Sequence, residues 1–113
     1  MRKEAYCPEK GDLITLAFDP QSGKEQRGRR PALVISNTLF NERTGLAIVC
    51  PITKSDRKIP FHIKVDDNEF VAGFVMAEQV KSVDFAARKA KFIYKPSLEM
   101  LQEVLAVLHA CVF

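Results

Sequence analysis

The sequence predicts a mainly β domain, a small antiparallel β-barrel capped by one C-terminal α-helix. Three observations carry that prediction. Short apolar runs recur through most of the chain, separated by clusters rich in Gly, Pro, Asp and Asn. The helical period, with apolar residues three and four apart, enters only after Lys95. At 113 residues the chain has the length of one domain, 1–113, and suffices to bury a core without staples. Hydrophobic content of 47% against 27% charged residues excludes a disordered or fibrous class. With eight Phe, two Tyr and no Trp, phenylalanine is expected to supply the bulky part of the core.

The elements follow in order. Gly11 to Phe18 alternates, with Leu13, Thr15 and Ala17 on one face and Ile14, Leu16 and Phe18 on the other. Both faces carry apolar residues, as a strand inside a compact barrel requires. Asp19-Pro20 stops it, and Gln21 to Arg30 is a polar loop holding Gly23 and Gly28. That loop is longer than hairpin closure needs, which marks it as a functional candidate. Pro31 opens a second, apolar strand, PALVISN, at an edge position where a missing N–H is tolerated. Thr38 to Thr44 is a turn or single helical turn ended by Gly45. Leu46 to Ile52 is the most apolar strand, and Thr53 to Ile59 is a second basic loop.

Pro60 to Val65 alternates again, placing Phe61, Ile63 and Val65 inward and His62 and Lys64 outward. Asp66 to Glu69 is an acidic turn. Phe70 to Ala77 is read as a strand in which Gly73 marks a bulge or a close approach. Gln79 to Val83 and Lys89 to Tyr94 are two short, more polar strands. Ser97 after Pro96 is an N-cap, with Glu99 in the first helical turn. Leu98, Leu101, Leu105, Leu108 and Val112 then form the apolar stripe expected to face the sheet.

Net charge is only +3, so its distribution matters more than its size. Lys24, Arg27, Arg29 and Arg30 crowd one loop, and Lys54, Arg57 and Lys58 crowd another. Brought together, the two loops would track a phosphate backbone; apart, they are ordinary solvated loops. Three cysteines, Cys7, Cys50 and Cys111, are odd in number and widely spaced. Cys50 and Cys111 sit in apolar runs and read as small buried hydrophobes suited to a reducing compartment. The two histidines, His62 and His109, lie far apart and no CxxC occurs, so neither a metal site nor a cofactor is expected. The opening MRKEAYCPEKG has no apolar core of a signal peptide, and no run approaches the roughly 18 apolar residues of a membrane helix. A cytoplasmic location is the resulting expectation. No GxSxG, Walker loop or dinucleotide fingerprint is present.

Three blocks carry a resemblance. GDLITLAFDPQSGKEQRGRRPALVIS resembles the opening of the MazF/PemK/Kid toxins of toxin–antitoxin systems, with its G-D strand start and E-Q…G…R-P loop. VCPITKSDRKIPFHI is similar to the family's strand-end P-x-T, basic loop and P-F strand. EQVKSVDFAARKAKFI is similar to its Q-V-K-S-x-D segment. The likeness runs in order from Gly11 to the terminal helix.

The resemblance implies a PemK-like, SH3-like barrel that forms a homodimer and acts as a metal-independent endoribonuclease. In such toxins the substrate 2′-OH attacks the adjacent phosphorus of single-stranded RNA, often mRNA, leaving a 2′,3′-cyclic phosphate and a 5′-OH. Carried across, the catalytic residues are Arg30, Thr53 and Glu25. A guanidinium clamps two phosphoryl oxygens at once, a threonine hydroxyl donates to the same oxygens, and a glutamate orients the arginine or accepts the 2′-OH proton. Which group serves as general acid and which as general base stays open at this point. RNA contacts are expected from Lys24, Gln26, Arg27, Arg29, Lys54, Ser55, Arg57, Lys58, Gln79 and Lys81. Phe40 and Tyr94 are aromatic residues able to stack on bases, with core packing the main expectation for Phe40. The family further implies a small antitoxin with an acidic, initially disordered tail. A gyrase-binding toxin of the CcdB type shares the fold without a nuclease site; the E-Q…R-P and P-x-T pair separates the two.

Overall fold

Strand pairing follows the alternation of the sequence, and the long apolar strand Leu46–Thr53 organises it. The computed structural model describes residues 5–17 and 28–113. Strands β1 (Leu13–Ala17), β2 (Arg29–Val34) and β3 (Leu46–Thr53) form an antiparallel meander, with Leu16 opposite Arg30 and Ala32 opposite Pro51. β3 changes partner along its length. Its first half also pairs with β6 (Lys81–Asp84), while Ile52 and Thr53 pair with β5 (Phe74–Met76). β4 (His62–Lys64) pairs with β5, and β7 (Lys91–Tyr94) flanks β1. The order is β4-β5-β3-β2-β1-β7, with β6 joined to β3. No pairing among the described residues joins β4 to β7, so the sheet stays open and is a barrel only loosely.

Both faces of this sheet are apolar, as the two-sided alternation of β1 requires. Leu13, Leu33, Cys50, Ile52 and Val75 point to one core, which the C-terminal helix (Leu98–Val112) covers with Met100, Leu101 and Val104. Ile14, Leu16, Ala32, Val34, Val49 and Val83 form a second core on the other face, with Phe85. Each fully buried Leu, Ile or Val contributes about 1.5–3 kcal/mol relative to exposure, before the entropy cost of ordering it. Phenylalanine contributes less than composition predicts. Phe85 is buried, whereas Phe40, Phe61, Phe70, Phe92 and Phe113 are exposed.

Local signals explain the ends of the elements. The Ser97 hydroxyl accepts from Met100 N at 3.1 Å, the N-cap expected, worth about 1 kcal/mol. Gly45 ends the short helix Thr38–Thr44 with φ 73°, the left-handed conformation that favours glycine there. The Gly-Asp start of β1 is structural. Gly11 N donates to Val34 O, and the buried Asp12 carboxylate accepts from Tyr6 OH at 2.5 Å and pairs with Lys95 Nζ at 2.9 Å.

Several sequence expectations are corrected. β2 begins two residues earlier than Pro31, so Arg29 and Arg30 are strand residues and not loop residues. Ladder bonds to β1 hold them in place. Pro60 and Phe61 lie in a turn ahead of β4, so alternation does not govern Phe61, which is 42% exposed. His62 is not solvent-facing: its side chain is 3% exposed, covered by the 3-10 turn Ala77–Gln79. Phe70 to Ala72 lie outside β5, and Gln79 belongs to the 3-10 turn and not to β6. The buried stripe of the terminal helix is centred on Leu101 and Val104, leaving Leu98 and Val112 exposed; Cys111 in its last turn is exposed as well. Among the described residues no helix is long and apolar enough to cross a membrane.

Candidate active site

The chemistry-bearing residues meet where β2 begins and β3 ends. Because side chains alternate along a strand, Arg30 shares a face with Ala32, and Thr53 shares a face with Pro51. Ala32 and Pro51 are directly paired, and Arg30 and Thr53 each stand two residues beyond that pair at the same end of the ladder. Lys81 faces Val49 across the β3–β6 ladder, on the same side. A cleft of about 820 Å³ opens there, lined by Arg29, Arg30, Thr53, Lys54, Ser55, Gln79 and Lys81 together with Ile52, Phe70, Val71, Ala72, Met76 and Ile93. Four of its described lining residues are cationic and none is acidic. That balance suits a polyanion.

Neighbouring arginines have different fates. Arg29 points to the opposite face, where its Nη2 donates to Thr15 Oγ1 at 2.7 Å and to Lys89 O at 2.7 Å, and its Nε donates to Thr15 Oγ1 at 3.1 Å. These bonds tie the start of β2 to β1 and to the turn before β7. Arg30 is exposed at the cleft.

Thr53 is half-buried, and its Oγ1 accepts from Ser55 N at 3.2 Å, which leaves the hydroxyl proton able to donate elsewhere. Its backbone is wedged from behind by Gly73. A Cβ on Gly73 would lie 2.5 Å from Thr53 O and 3.0 Å from Ile52 Cγ2. The close approach predicted at Gly73 thus supports the site. Lys54 and Ser55 line the cleft, while Arg57 and Lys58 are exposed on the loop beyond it, where Asp56 Oδ1 accepts from Lys58 N at 2.9 Å. Lys24, Glu25, Gln26 and Arg27 lie outside the described residues.

The histidine lies apart from this cleft. His62 Nε2 is 3.0 Å from Glu78 Oε2, and neither residue lines the cleft. Partial burial would raise the Glu78 carboxyl, but the hydrogen bond and charge of His62, together with a backbone bond and a bond from Gln79, outweigh it and hold the group below its usual range. Cys50 is buried against the same region, and burial pushes its thiol up to about 12, so it is an inert core residue.

Sequence reasoning missed the apolar rim formed by Phe70, Val71 and Ala72. Here the chain is held by side chains. Asn68 Oδ1 accepts from Phe70 N and Val71 N, both at 2.7 Å, and its Nδ2 donates to Asp66 O and Val71 O, both at 2.8 Å. Asp66 in turn accepts from Tyr94 OH at 3.0 Å and Ser97 N at 3.2 Å. Burial, and then the bond to Asp66, push the Tyr94 phenol up to about 12, so it remains a donor at neutral pH. The Asp66-Asp67-Asn68 run was the available signal, since Asp and Asn close such turns with their own side chains.

The R-P step of β2 and the P-x-T end of β3 thus border one cationic cleft. A model of PemK-like, MazF-like toxins of type II toxin–antitoxin systems matches residues 9–112. The chain belongs to the PemK/MazF toxin family. The endoribonuclease toxin MazF of Escherichia coli K12 is 41% identical over 85 residues, covering 75% of this chain and 76% of the relative. The endoribonuclease toxin ChpB of the same organism is 39% identical over 112 residues, covering 92% of this chain and 93% of ChpB. Among solved structures, MazF in a MazE–MazF crystal from Deinococcus radiodurans superposes with a TM-score of 0.85 at 32% identity, covering 96% of this chain and 97% of that one. The mainly antiparallel sheet with a C-terminal helix is therefore the MazF fold, and the chain sits among endoribonuclease toxins.

Proposed function

We propose that this MazF-family toxin, acting as a single domain over residues 1–113, is a metal-independent, sequence-selective endoribonuclease of single-stranded RNA, mRNA included. The observation that carries the reading is the placement of Arg30 and Thr53 on one face, at matching strand ends, in a cleft whose described lining holds four cations and no acid. The substrate 2′-oxygen attacks phosphorus, its proton passes to a base, and the bond to the 5′ oxygen breaks as that oxygen gains a proton. The products are a 2′,3′-cyclic phosphate and a 5′-OH. Negative charge gathers on the non-bridging oxygens at the transition state. The Arg30 guanidinium neutralises it in bidentate fashion, and the Thr53 hydroxyl donates to the same group. Glu25 is assigned from its E-Q motif as the partner that orients Arg30 or accepts the 2′-OH proton. Lys54, Ser55, Gln79 and Lys81 in the cleft, with Arg57 and Lys58 beyond it and Lys24, Gln26 and Arg27 in the loop before β2, hold the RNA backbone.

The partners follow from the same reading. The toxin works in the cytoplasm as a homodimer, without a cofactor. A cognate antitoxin silences it by laying an acidic tail over the cationic cleft; that the relative was crystallised as MazE–MazF supports an antitoxin partner.

The test is incubation of purified protein with a long single-stranded RNA in EDTA. Cleavage to fragments that accept a 5′ phosphate directly, and whose 3′ ends carry a cyclic phosphate, is the expected result. Arg30→Ala is expected to lower the cleavage rate by about 10²- to 10³-fold with an unchanged melting temperature. Folded wild-type protein that leaves every RNA intact would refute the reading.

A further inference from the structure

The cleft has a second chemistry that phosphate binding does not use. Phe70 is 59% exposed at its rim. Its ring lies against Tyr94, with centroids 5.6 Å apart and planes 31° apart, so one aromatic face is backed and the side chain still opens to solvent. Val71, Ala72 and Ile93 continue the apolar surface beside it.

An exposed phenylalanine adds little to stability, because burial is what stabilises an aromatic side chain. Yet this one is held firmly. Asn68 fastens the backbone of Phe70 and Val71 by both ends of its amide, and Asp66 fixes Tyr94 beneath the ring. The ordering cost of the loop is met before anything binds, which is the mark of a preorganised contact surface. The same cleft carries Arg30, Lys54 and Lys81, with no acidic residue among those described. A ligand that meets both surfaces must offer phosphates and flat apolar rings together. Single-stranded nucleic acid has that pattern, since its unstacked bases project beside the backbone.

We infer that Phe70, backed by Tyr94, is a base-stacking platform that receives one nucleobase of the RNA strand whose phosphates run past Arg30 and Lys81. The inference rests on the ribonuclease reading and names a subsite within it. Stacking holds a base by its π-face, so Phe70 contributes affinity and strand register, while polar groups nearby choose among bases.

The experiment measures binding of a random-sequence RNA dodecamer, 2′-O-methylated throughout to block the attacking oxygen, across a range of salt concentrations. Wild-type protein is compared with Phe70→Ala, Phe70→Leu and Phe70→Trp, after thermal melts establish that each is folded. Loss of one stacked base weakens binding by roughly 5- to 150-fold. Phe70→Ala and Phe70→Leu are expected in that range and Phe70→Trp close to wild type. The slope of log affinity against log salt stays unchanged, because no phosphate contact is lost. Leucine retains apolar bulk without a π-face, so its failure separates stacking from simple packing. Equal binding by wild type, Phe70→Ala and Phe70→Leu, in protein that cleaves RNA, overturns the platform and leaves the nuclease intact. A defect confined to binding of a purified antitoxin tail peptide also overturns it. Absence of RNA binding and cleavage in the wild type removes the underlying reading instead.

Discussion

The floor of the cleft and its rim are built by different means. Arg30 and Thr53 take their positions from strand pairing: β1 and β2 on one side, β3 and β5 on the other. Their backbone hydrogen bonds run through neutral amides, so the placement itself has no proton to lose. Phe70 to Ala72 belong to no strand: the Asn68 side chain bonds the backbone of Phe70 and Val71, and Tyr94, held by the Asp66 carboxylate, backs the Phe70 ring. A ladder is cooperative and tolerant of surface substitution, whereas a loop held by one amide and one carboxylate fails when either is removed. The floor is thus held cooperatively by a ladder, and the rim by a few side-chain bonds that a single substitution can release.

The largest expected effect comes from striking the floor from beneath. Gly73→Ala forces a methyl group onto the Thr53 carbonyl and Ile52, backbone and core that have little room to yield. A loss of about 1–3 kcal/mol is expected, or on the order of 4 °C in melting temperature per kcal/mol for a domain of this size. Because the clash acts on Thr53 itself, the cleavage rate at a temperature where the variant is folded should fall as well. A Gly73→Ala protein with wild-type melting and wild-type rate would show that the floor is not braced there.

Releasing the rim should be milder. Asn68→Ala removes both hydrogen bonds to the Phe70 and Val71 amides, a net loss of about 1–2 kcal/mol. Amide exchange at Phe70 and Val71 is expected to accelerate while exchange in β2 and β3 stays slow. If all these amides accelerated together, floor and rim would be one cooperative unit.

Acid should separate the two regions by the smallest margin. Partial burial would raise the Asp66 carboxyl, but the bonds from Ser97 and Tyr94 outweigh it and hold the group below its ordinary 3.8. A carboxyl depressed in the folded state stabilises fully above that value and loses its contribution as pH falls below it. Melting curves through this window should show a decline that Asp66→Asn flattens. Lys95 has the opposite sign: its bond to Asp12 raises it above 10.5, so its contribution holds below that pH and is lost as alkali removes the proton. An Asp66→Asn protein with an unaltered acid limb would show that the rim does not depend on that charge.

The sequence made much of this legible. Ser97 and Gly45 did in the structure what their local chemistry predicted, because caps are decided within a few residues, whereas Gly73 marked a close approach whose partner, Thr53, only the sheet supplied. The R-P and P-x-T blocks located Arg30 and Thr53 through family resemblance. Arg29 was harder to read, since two adjacent arginines look equally available until a ladder sends them to opposite faces. His62 and Phe61 were inverted because a turn delayed the start of β4 and a distant 3-10 turn covered the histidine. Phe70 was read as a strand residue because the apolar run FVAGFVMA begins ahead of the point where pairing starts, at Phe74.

What the sequence by itself determined was the set of elements, their apolar faces and the residues that carry charge, all properties of short range and of period. Only the tertiary structure decided that the start of β2 meets the end of β3, that Arg29 and Arg30 leave β2 on opposite faces, and that an aromatic ring stands beside the cations. Register and long-range pairing join residues far apart in the chain, and one residue of register moves every side chain to the other face.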